Sequence, residues 1–298
     1  IQNRVETGEP YIMFEDTVQN ALPEFQKDLG LKVNHSNLCS EITLPTNEER
    51  TAVCCLSSVN LENFDEWQDD EFFIPDLIRF LDNVITYFIE EAPDALSRAK
   101  FSAERERSIG LGAMGFHAYL QKKNIPFESM FAQSTNYTMF RHIKEQAQFE
   151  TEELAKERGS CPDDKNNTVR NAHLLAVAPN ASSSIICGNT SPSIEPYRAN
   201  AFTQKTKTGS SLLKNKYLEQ LLNKKDRNTP DIWKSIITNH GSVQHLDFLN
   251  EHEKSIFATA VEIDQRWVVN LAAERQEFIC QSQSCNVFFP ADVSKQEL

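Results

Sequence analysis

The 298-residue chain has no apolar run of about 18 residues, the length a membrane-spanning helix requires. No signal-peptide pattern precedes its first predicted strand. Positive charge is scarce: 30 Lys and Arg face 43 Asp and Glu, for a net charge of −13. General nucleic-acid binding wants a basic face, so that class is disfavoured, whereas one local anion site for a nucleotide is not. The seven cysteines (Cys39, Cys54, Cys55, Cys161, Cys187, Cys280 and Cys285) show no pair-and-pair zinc spacing. An odd, scattered set in a long chain is also unlike a secreted disulfide scaffold. The seven histidines form no His-x-x-x-His pair. These absences predict a reducing, cytoplasmic setting and no protein-bound metal. Internal repeats and low-complexity linkers are missing too. The chain opens abruptly on Ile1 and not Met, as a fragment would.

What is present is ordinary for a globular protein: 40% hydrophobic and 24% charged residues, on a chain long enough for a large core. Tyr11 to Phe14 is a predicted strand. Asp16 to Leu29 has helical spacing through Val18, Leu22 and Phe25, with Pro23 inside and Gly30 as a stop. A polar turn covers Asn47 to Arg50, and Thr51 to Leu61 is predicted extended, so residues 38–61 could pair like a hairpin and bring Cys39 and Cys54 to one end. Asp70 to Glu91 is helical, with an apolar stripe of Leu77, Phe80, Leu81, Val84, Ile85 and Phe88, ended by Pro93. A second long helix runs from Ser134 to Arg158 with Met139, Phe140, Ile143, Ala147 and Leu154 inward and Gly159 at C′. His173 to Ala178 is an apolar run of the kind that forms a strand covered on both faces. Residues 204–230 are polar and Lys-rich, predicting a surface loop and helix. Glu262 to Phe278 is helical, and Ser284 to Phe289 is a final predicted strand. Strands separated by long helices argue for an α/β fold with parallel strands.

Four stretches carry candidate chemistry. In Ser36-Asn37-Leu38-Cys39-Ser40-Glu41-Ile42-Thr43, an extended chain would point Asn37, Cys39 and Glu41 to one side. A thiol between an amide and a possible general base suits a reaction centre. A half-buried strand with a core cysteine accounts for the same residues. Gly110-Leu111-Gly112-Ala113-Met114-Gly115 matches the dinucleotide fingerprint, but Glu104 to Arg107 before it make no strand, and the helix after it stops near Pro126, so the context argues against dinucleotide binding. Pro179-Asn180-Ala181-Ser182-Ser183-Ser184-Ile185 follows the buried run; its hydroxyls and backbone N–H groups could meet an anion or simply cap a helix. Cys54 and Cys55 are adjacent, and vicinal cysteines rarely bond each other because the ring is strained.

Asn37 to Glu41 followed by Ile42-Thr43-Leu44-Pro45 resembles the active-site finger loop of class I ribonucleotide reductase large subunits. B12-dependent relatives typically carry Asn-Pro-Cys-Gly-Glu there, so Leu38 favours class I. The run Arg107 to Phe116, the loop 179–185, Ser193-Ile194-Glu195-Pro196, Ala52-Val53-Cys54, and Ala272 to Ser284 are similar to further stretches of the same family. In the barrel of that family the glycines of 110–115 would allow close backbone packing.

The resemblance implies an α/β fold, part of a ten-stranded α/β barrel whose central finger loop, about 36–43 here, carries a radical cysteine. Residues 1–298 would be the C-terminal part of the barrel, lacking the N-terminal half, the effector domain and the extreme C-terminus with its Tyr-Tyr pair and cysteine tail. It implies that Cys39 carries a thiyl radical, Glu41 is the base on the substrate 3′-hydroxyl and Asn37 hydrogen-bonds the substrate. Cys54 would be one of two redox thiols, with Cys55 a bystander and the partner cysteine upstream. Ser182, Ser183 and Ser184, with Asn180 and Ala181 where the family loop varies, would hold the substrate diphosphate. Cys161, Cys187, Cys280 and Cys285 would be structural. No cofactor would be bound by the chain itself: a metal-containing small (beta) subunit would supply the radical, and thioredoxin or glutaredoxin the reducing equivalents. Two rival expectations are a dithiol oxidoreductase using Cys39 and Cys54, and a non-catalytic half-barrel that needs a companion chain.

Overall fold

A computed structural model describes residues 2–207, 209–290 and 293–294. Its centre is a layer of parallel rows. Strand β1 (Cys55–Asn60) pairs in parallel with β2 (Ile109–Met114), Cys55 opposite Ile109 and Asn60 opposite Met114. The layer continues through parallel bridges from Leu111 to Leu175 and from Val177 to Gln283. Hydrogen bonds from Leu111 N–H to Leu174 C=O (2.8 Å) and from Ser284 N–H to Val177 C=O (2.8 Å) tie these rows together. Each row follows its neighbour in chain order, and parallel neighbours need long crossovers. Helices supply them: Phe73–Glu91 and Ser97–Glu106, then Met130–Arg158, then Gln265–Gln276. The fold is α/β with parallel strands, and among the described residues the layer stays open and does not close into a barrel.

The sequence explains the long helices. Ser129 accepts the Ala132 N–H at 3.1 Å as N-cap of Met130–Arg158, and Gly159 ends it at φ +86°, a conformation that costs glycine little. All five residues predicted inward on this helix are buried, and the helix starts four residues before the predicted Ser134. Phe73–Glu91 tolerates Pro75 because its first turn has no N–H partners to lose. Its buried stripe is Ile74, Ile78, Leu81 and Ile85, whereas Phe80, predicted inward, is 58% exposed. The main core joins these helices to Val59, Ile109, Leu111, Ala113, Leu175 and Val177.

Other expectations need correction. Tyr11 to Phe14 is not a strand: its backbone joins no ladder among the described residues, Phe14 is 76% exposed, and helix Glu15–Ala21 follows directly. Pro23 splits the predicted 16–29 helix into Glu15–Ala21 and Glu24–Asp28. Residues 38–61 form no hairpin, because the ladder of β1 is with β2. No strand runs from Ser284 to Phe289; there the Asn286 and Phe288 N–H groups donate to the side chains of Glu195 and Gln265 and not to a neighbouring row. The polar 204–230 segment has its expected helix, but a hairpin stands where a loop was expected. It contributes to an antiparallel hairpin of β3 (Ala201–Thr206) and β4 (Gly209–Lys214), then helix Lys216–Lys224, packed around Leu218, Leu222, Trp233 and Ile236 in a smaller second core. Thr208 in that segment, like Ile1 and Leu298, lies outside the described residues.

Candidate active site

The strand layer has two faces because side chains alternate along each row. Ile109, Leu111 and Ala113 of β2 face the helices. Gly110 and Gly112 face the other way, where they replace side chains with space. A Cβ on Gly110 would lie 2.5 Å from Leu56 Cδ2 and 3.0 Å from Cys54 Sγ; one on Gly112 would lie 2.6 Å from the Ala176 carbonyl oxygen. The glycine run is therefore a strand that permits close packing, and Gly115 at φ +83° turns it into helix Phe116–Lys122.

The segment 36–45 sits over this shallow inner face. Ile42 and Leu44 form a small cluster with Ala176, backed by Ala52 and Cys54. The Ser282 N–H donates to the Glu41 C=O at 3.0 Å, anchoring the segment to the fourth row. The predicted extended alternation fails between these anchors. Ser40 lies at φ +67° and donates its N–H to Asn37 C=O at 3.1 Å, closing a turn. Asn37 Oδ1 accepts the Ile42 N–H at 3.1 Å, an asparagine bond to nearby backbone that competes with a sheet ladder. Leu38 stands 83% exposed at the tip, and the chain then descends to Glu41, 2% exposed. Asn37, Cys39 and Glu41 thus lie on a turn and not on a pleated strand.

The electrostatics of the turn favour a neutral thiol. Burial raises the Cys39 pKa, and the Glu41 charge raises it further. Glu41 Oε2 is buried without a hydrogen-bond partner among the described residues, as is Ser40 Oγ. A buried polar atom without a partner is costly, so this carboxylate oxygen has a free acceptor site.

Alternation along the chain into β1 separates the vicinal cysteines. Cys54 belongs to the inner cluster with Ile42 and Leu44, whereas Cys55 packs on the outer core. Both are free thiols. Burial drives the Cys54 pKa far up, opposed only in part by a hydrogen bond from Gln281. Farther along the same face, the Ser58 hydroxyl donates to Asn180 Oδ1 at 3.2 Å, joining the strand to the loop 179–185. Four residues of strand, about 13 Å at about 3.3 Å each, separate Ser58 from Cys54.

In that loop Asn180 adopts φ +52°, and a single helical turn spans Ser183–Ile186. Ala181, Ser182 and Ser183 are exposed. Ser184 is 2% exposed and donates its hydroxyl to the Ala181 C=O at 3.3 Å, so of the predicted serines it faces inward. The remaining cysteines differ among themselves. Cys161 is buried, which pushes its thiol up to about 11. Cys187 is exposed beside the loop, contrary to a core role. Cys280 Sγ accepts N–H groups of Leu174 and Leu175 at 3.1 and 3.2 Å; burial would raise its pKa, but a hydrogen bond to His173 and the charge of that residue outweigh it and bring it to about 6.

Sequence reasoning missed Ser58 and Gln281, which connect the predicted residues to one another. Polar side chains at alternate positions Ser58 and Asn60 of a strand were the available signal. Among the described residues no group of three or more His, Cys, Asp or Glu could hold a metal ion, and no helix is long and apolar enough to cross a membrane.

Comparison with known proteins gives consistent matches. A family model described as ribonucleotide reductase, barrel domain, matches residues 1–168 and 163–298. The ribonucleoside-diphosphate reductase large subunit of Invertebrate iridescent virus 3 is 50% identical, over 98% of this chain and 47% of its own length. The putative large subunit of Frog virus 3 is 49% identical, over 100% of this chain and 53% of its own. Among solved structures, the class Id ribonucleotide reductase alpha subunit of Actinobacillus ureae aligns with a TM-score of 0.93 at 41% identity, over 99% of this chain and 55% of that one. The chain spans about half the length of these relatives.

Proposed function

Because the chain belongs to the ribonucleotide reductase large-subunit family through its barrel domain, we propose that it carries the radical centre of a ribonucleoside-diphosphate reductase. In this reading residues 1–298 are the C-terminal part of the barrel, and 36–43 are its finger loop. The observation that carries it is the neutral Cys39 thiol at the loop turn, two residues from a buried carboxylate with one oxygen unpartnered.

A thiol that keeps its proton suits hydrogen-atom chemistry, because the S–H bond is what a radical reaction uses. Thiol–disulfide exchange needs a thiolate. Raised pKa values at both Cys39 and Cys54 therefore weigh against a self-contained dithiol oxidoreductase. Cys39, as a thiyl radical generated through a metal-containing small subunit, takes the 3′-hydrogen of a ribonucleoside diphosphate. Glu41 accepts the 3′-hydroxyl proton, and Asn37 orients the sugar through its amide nitrogen. The 2′-hydroxyl leaves as water while two thiols, Cys54 and one outside these residues, give two electrons and two protons and become a disulfide. Cys39 then returns the hydrogen to C3′. The exposed Ala181, Ser182 and Ser183, held by Asn180 on Ser58, receive the diphosphate, and Ser184 supports them from behind. Thioredoxin or glutaredoxin reopens the disulfide, in a cytoplasmic setting. The open layer and the half-length coverage favour turnover only together with the remaining large-subunit segments.

The test is Cys39→Ser in the native large subunit, reconstituted with its small subunit. Release of 3′-hydrogen is lost while nucleotide binding stays near that of the unsubstituted enzyme. Retained turnover would sink the assignment.

A further inference from the structure

Gln281 is 3% exposed and lies where four parts of the site meet. Its backbone N–H donates to Leu175 C=O at 3.2 Å, fixing it in the fourth row. Its side-chain Oε1 accepts the Thr43 N–H at 3.3 Å, at the base of the finger loop. Its Nε2 donates to Ile109 C=O of β2 at 3.0 Å and to Cys54 Sγ at 3.5 Å. A primary amide has two N–H donors and a carbonyl acceptor. Both donors and the acceptor are engaged here, each on a different element. Neither a carboxylate nor a thioether could reproduce the set.

One of those donors points at sulfur. A neutral thiol accepts hydrogen bonds weakly, whereas a thiolate, like other ionised acceptors, accepts them strongly. The N–H of Gln281 therefore acts mainly on the ionised form of Cys54 and opposes the burial that disfavours it. The same side chain prevents Cys54 and the finger loop from moving independently, since Thr43 is held by its other end.

We propose that Gln281 is a positioning residue that couples the finger loop to Cys54 and supports Cys54 as the leaving thiolate when its disulfide is reopened. This rests on the reading of Cys54 as a redox thiol. In the step concerned, the thiolate of an external dithiol attacks the partner sulfur of the Cys54 disulfide. The new S–S bond forms as the old one breaks, Cys54 departs with the electron pair, and a proton from solvent then restores its thiol. Leaving ability in this exchange rises as the pKa of the departing thiol falls.

The test uses the native large subunit with its small subunit, as Gln281→Met and Gln281→Glu. Gln281→Met removes all three side-chain bonds; Gln281→Glu as the carboxylate keeps the acceptor for Thr43 and loses both donors. The first readout is the rate of iodoacetamide alkylation at Cys54 at one fixed alkaline pH, resolved from the other cysteines by peptide mass. In both variants that rate falls about tenfold, the loss of thiolate that a rise of about one pKa unit produces. The second is re-reduction of the oxidised enzyme by dithiothreitol, slowed about fivefold, consistent with partial sensitivity to leaving-group pKa. Under dithiol turnover kcat falls with KM for the nucleotide unchanged in Gln281→Glu, whose finger loop keeps its anchor. Unslowed alkylation with unchanged re-reduction in whichever variant folds overturns the proposal. Cys54→Ala separates the two ideas: if that variant turns over with dithiol reductant, the reading of Cys54 fails, and the alkylation rate still decides whether Gln281 acts on its thiolate.

Discussion

The two faces of the strand layer are built differently. On the outer face Val59, Leu111, Leu175 and Val177 meet Ile78, Leu81, Ile85, Phe140 and Ile143 in one continuous core. Stability there is shared among many contacts, each individually small. The inner face holds two glycines, Ala176 and a few polar side chains. Orientation there hangs on single bonds: Asn37 to Ile42, Ser282 to Glu41, Gln281 to Thr43 and Cys54. The adjacent cysteines fall on either side of this division. A chemical site needs orientation more than it needs burial, and the inner face supplies it at little cost to the core.

The largest expected effect on stability lies on the helix side. Asp82 is fully buried on the Phe73–Glu91 helix and accepts from Arg107, Arg158, Arg170 and Asn171. Asp82→Asn leaves the 6%-exposed Arg107 without its carboxylate and should cost about 3–5 kcal/mol in denaturant unfolding. A loss below about 1 kcal/mol would mean that the guanidiniums find other partners. Burial disfavours the Asp82 charge, but the charge and hydrogen bond of Arg107, with Arg170 and Asn171, hold its pKa below the ordinary value. The sign follows: its contribution is complete above the unfolded carboxylate value, about 4, and disappears as pH falls through the lower native value. Unfolding at descending pH should show this component in the unsubstituted protein and lack it in Asp82→Asn.

Gly112→Ala should have the next largest effect. The added Cβ meets a backbone oxygen at 2.6 Å, which no side-chain rotation relieves. Overpacking of this kind costs about 1–3 kcal/mol. Because Ala176 also supports Ile42 and Leu44, activity should fall by more than the unfolding curve accounts for. A fall in stability with unchanged turnover would show that the finger loop does not depend on that surface. The smallest effect belongs to the outer cysteine: Cys55→Ala should cost about 1 kcal/mol or less and leave dithiol-driven turnover in place. Cys54→Ala should be comparably mild in unfolding and inactive in turnover. Equal activity in the two variants would erase the distinction between the faces.

Much of the framework was legible because it rests on local rules. The spacing of Met139, Phe140, Ile143, Ala147 and Leu154 identifies one face of a helix, and Gly159 its end. The apolar run 173–178 marks a buried row, and the glycines expected to allow close backbone packing do so at Gly110 and Gly112 of β2. Phe80 was misplaced because the Phe73–Glu91 helix carries apolar residues beyond one stripe, and only packing chooses among them. The turn at Cys39 was misread as a strand because its shape depends on an asparagine side chain binding backbone and on a serine at positive φ. Neither has a period. Gln281 could be noticed in its motif, but its partners lie 238, 227 and 172 residues away in sequence.

By itself the sequence determined the α/β alternation, the long helices and the residue set proposed for the finger loop, since periodicity, caps and a short motif act over neighbouring residues. Tertiary structure alone decided that Cys54 faces inward and Cys55 outward, that Ser184 turns away from solvent, and that one buried amide joins the finger loop to Cys54. Those outcomes depend on which rows become neighbours and how closely glycine lets them approach, and both are fixed only when distant segments pack together.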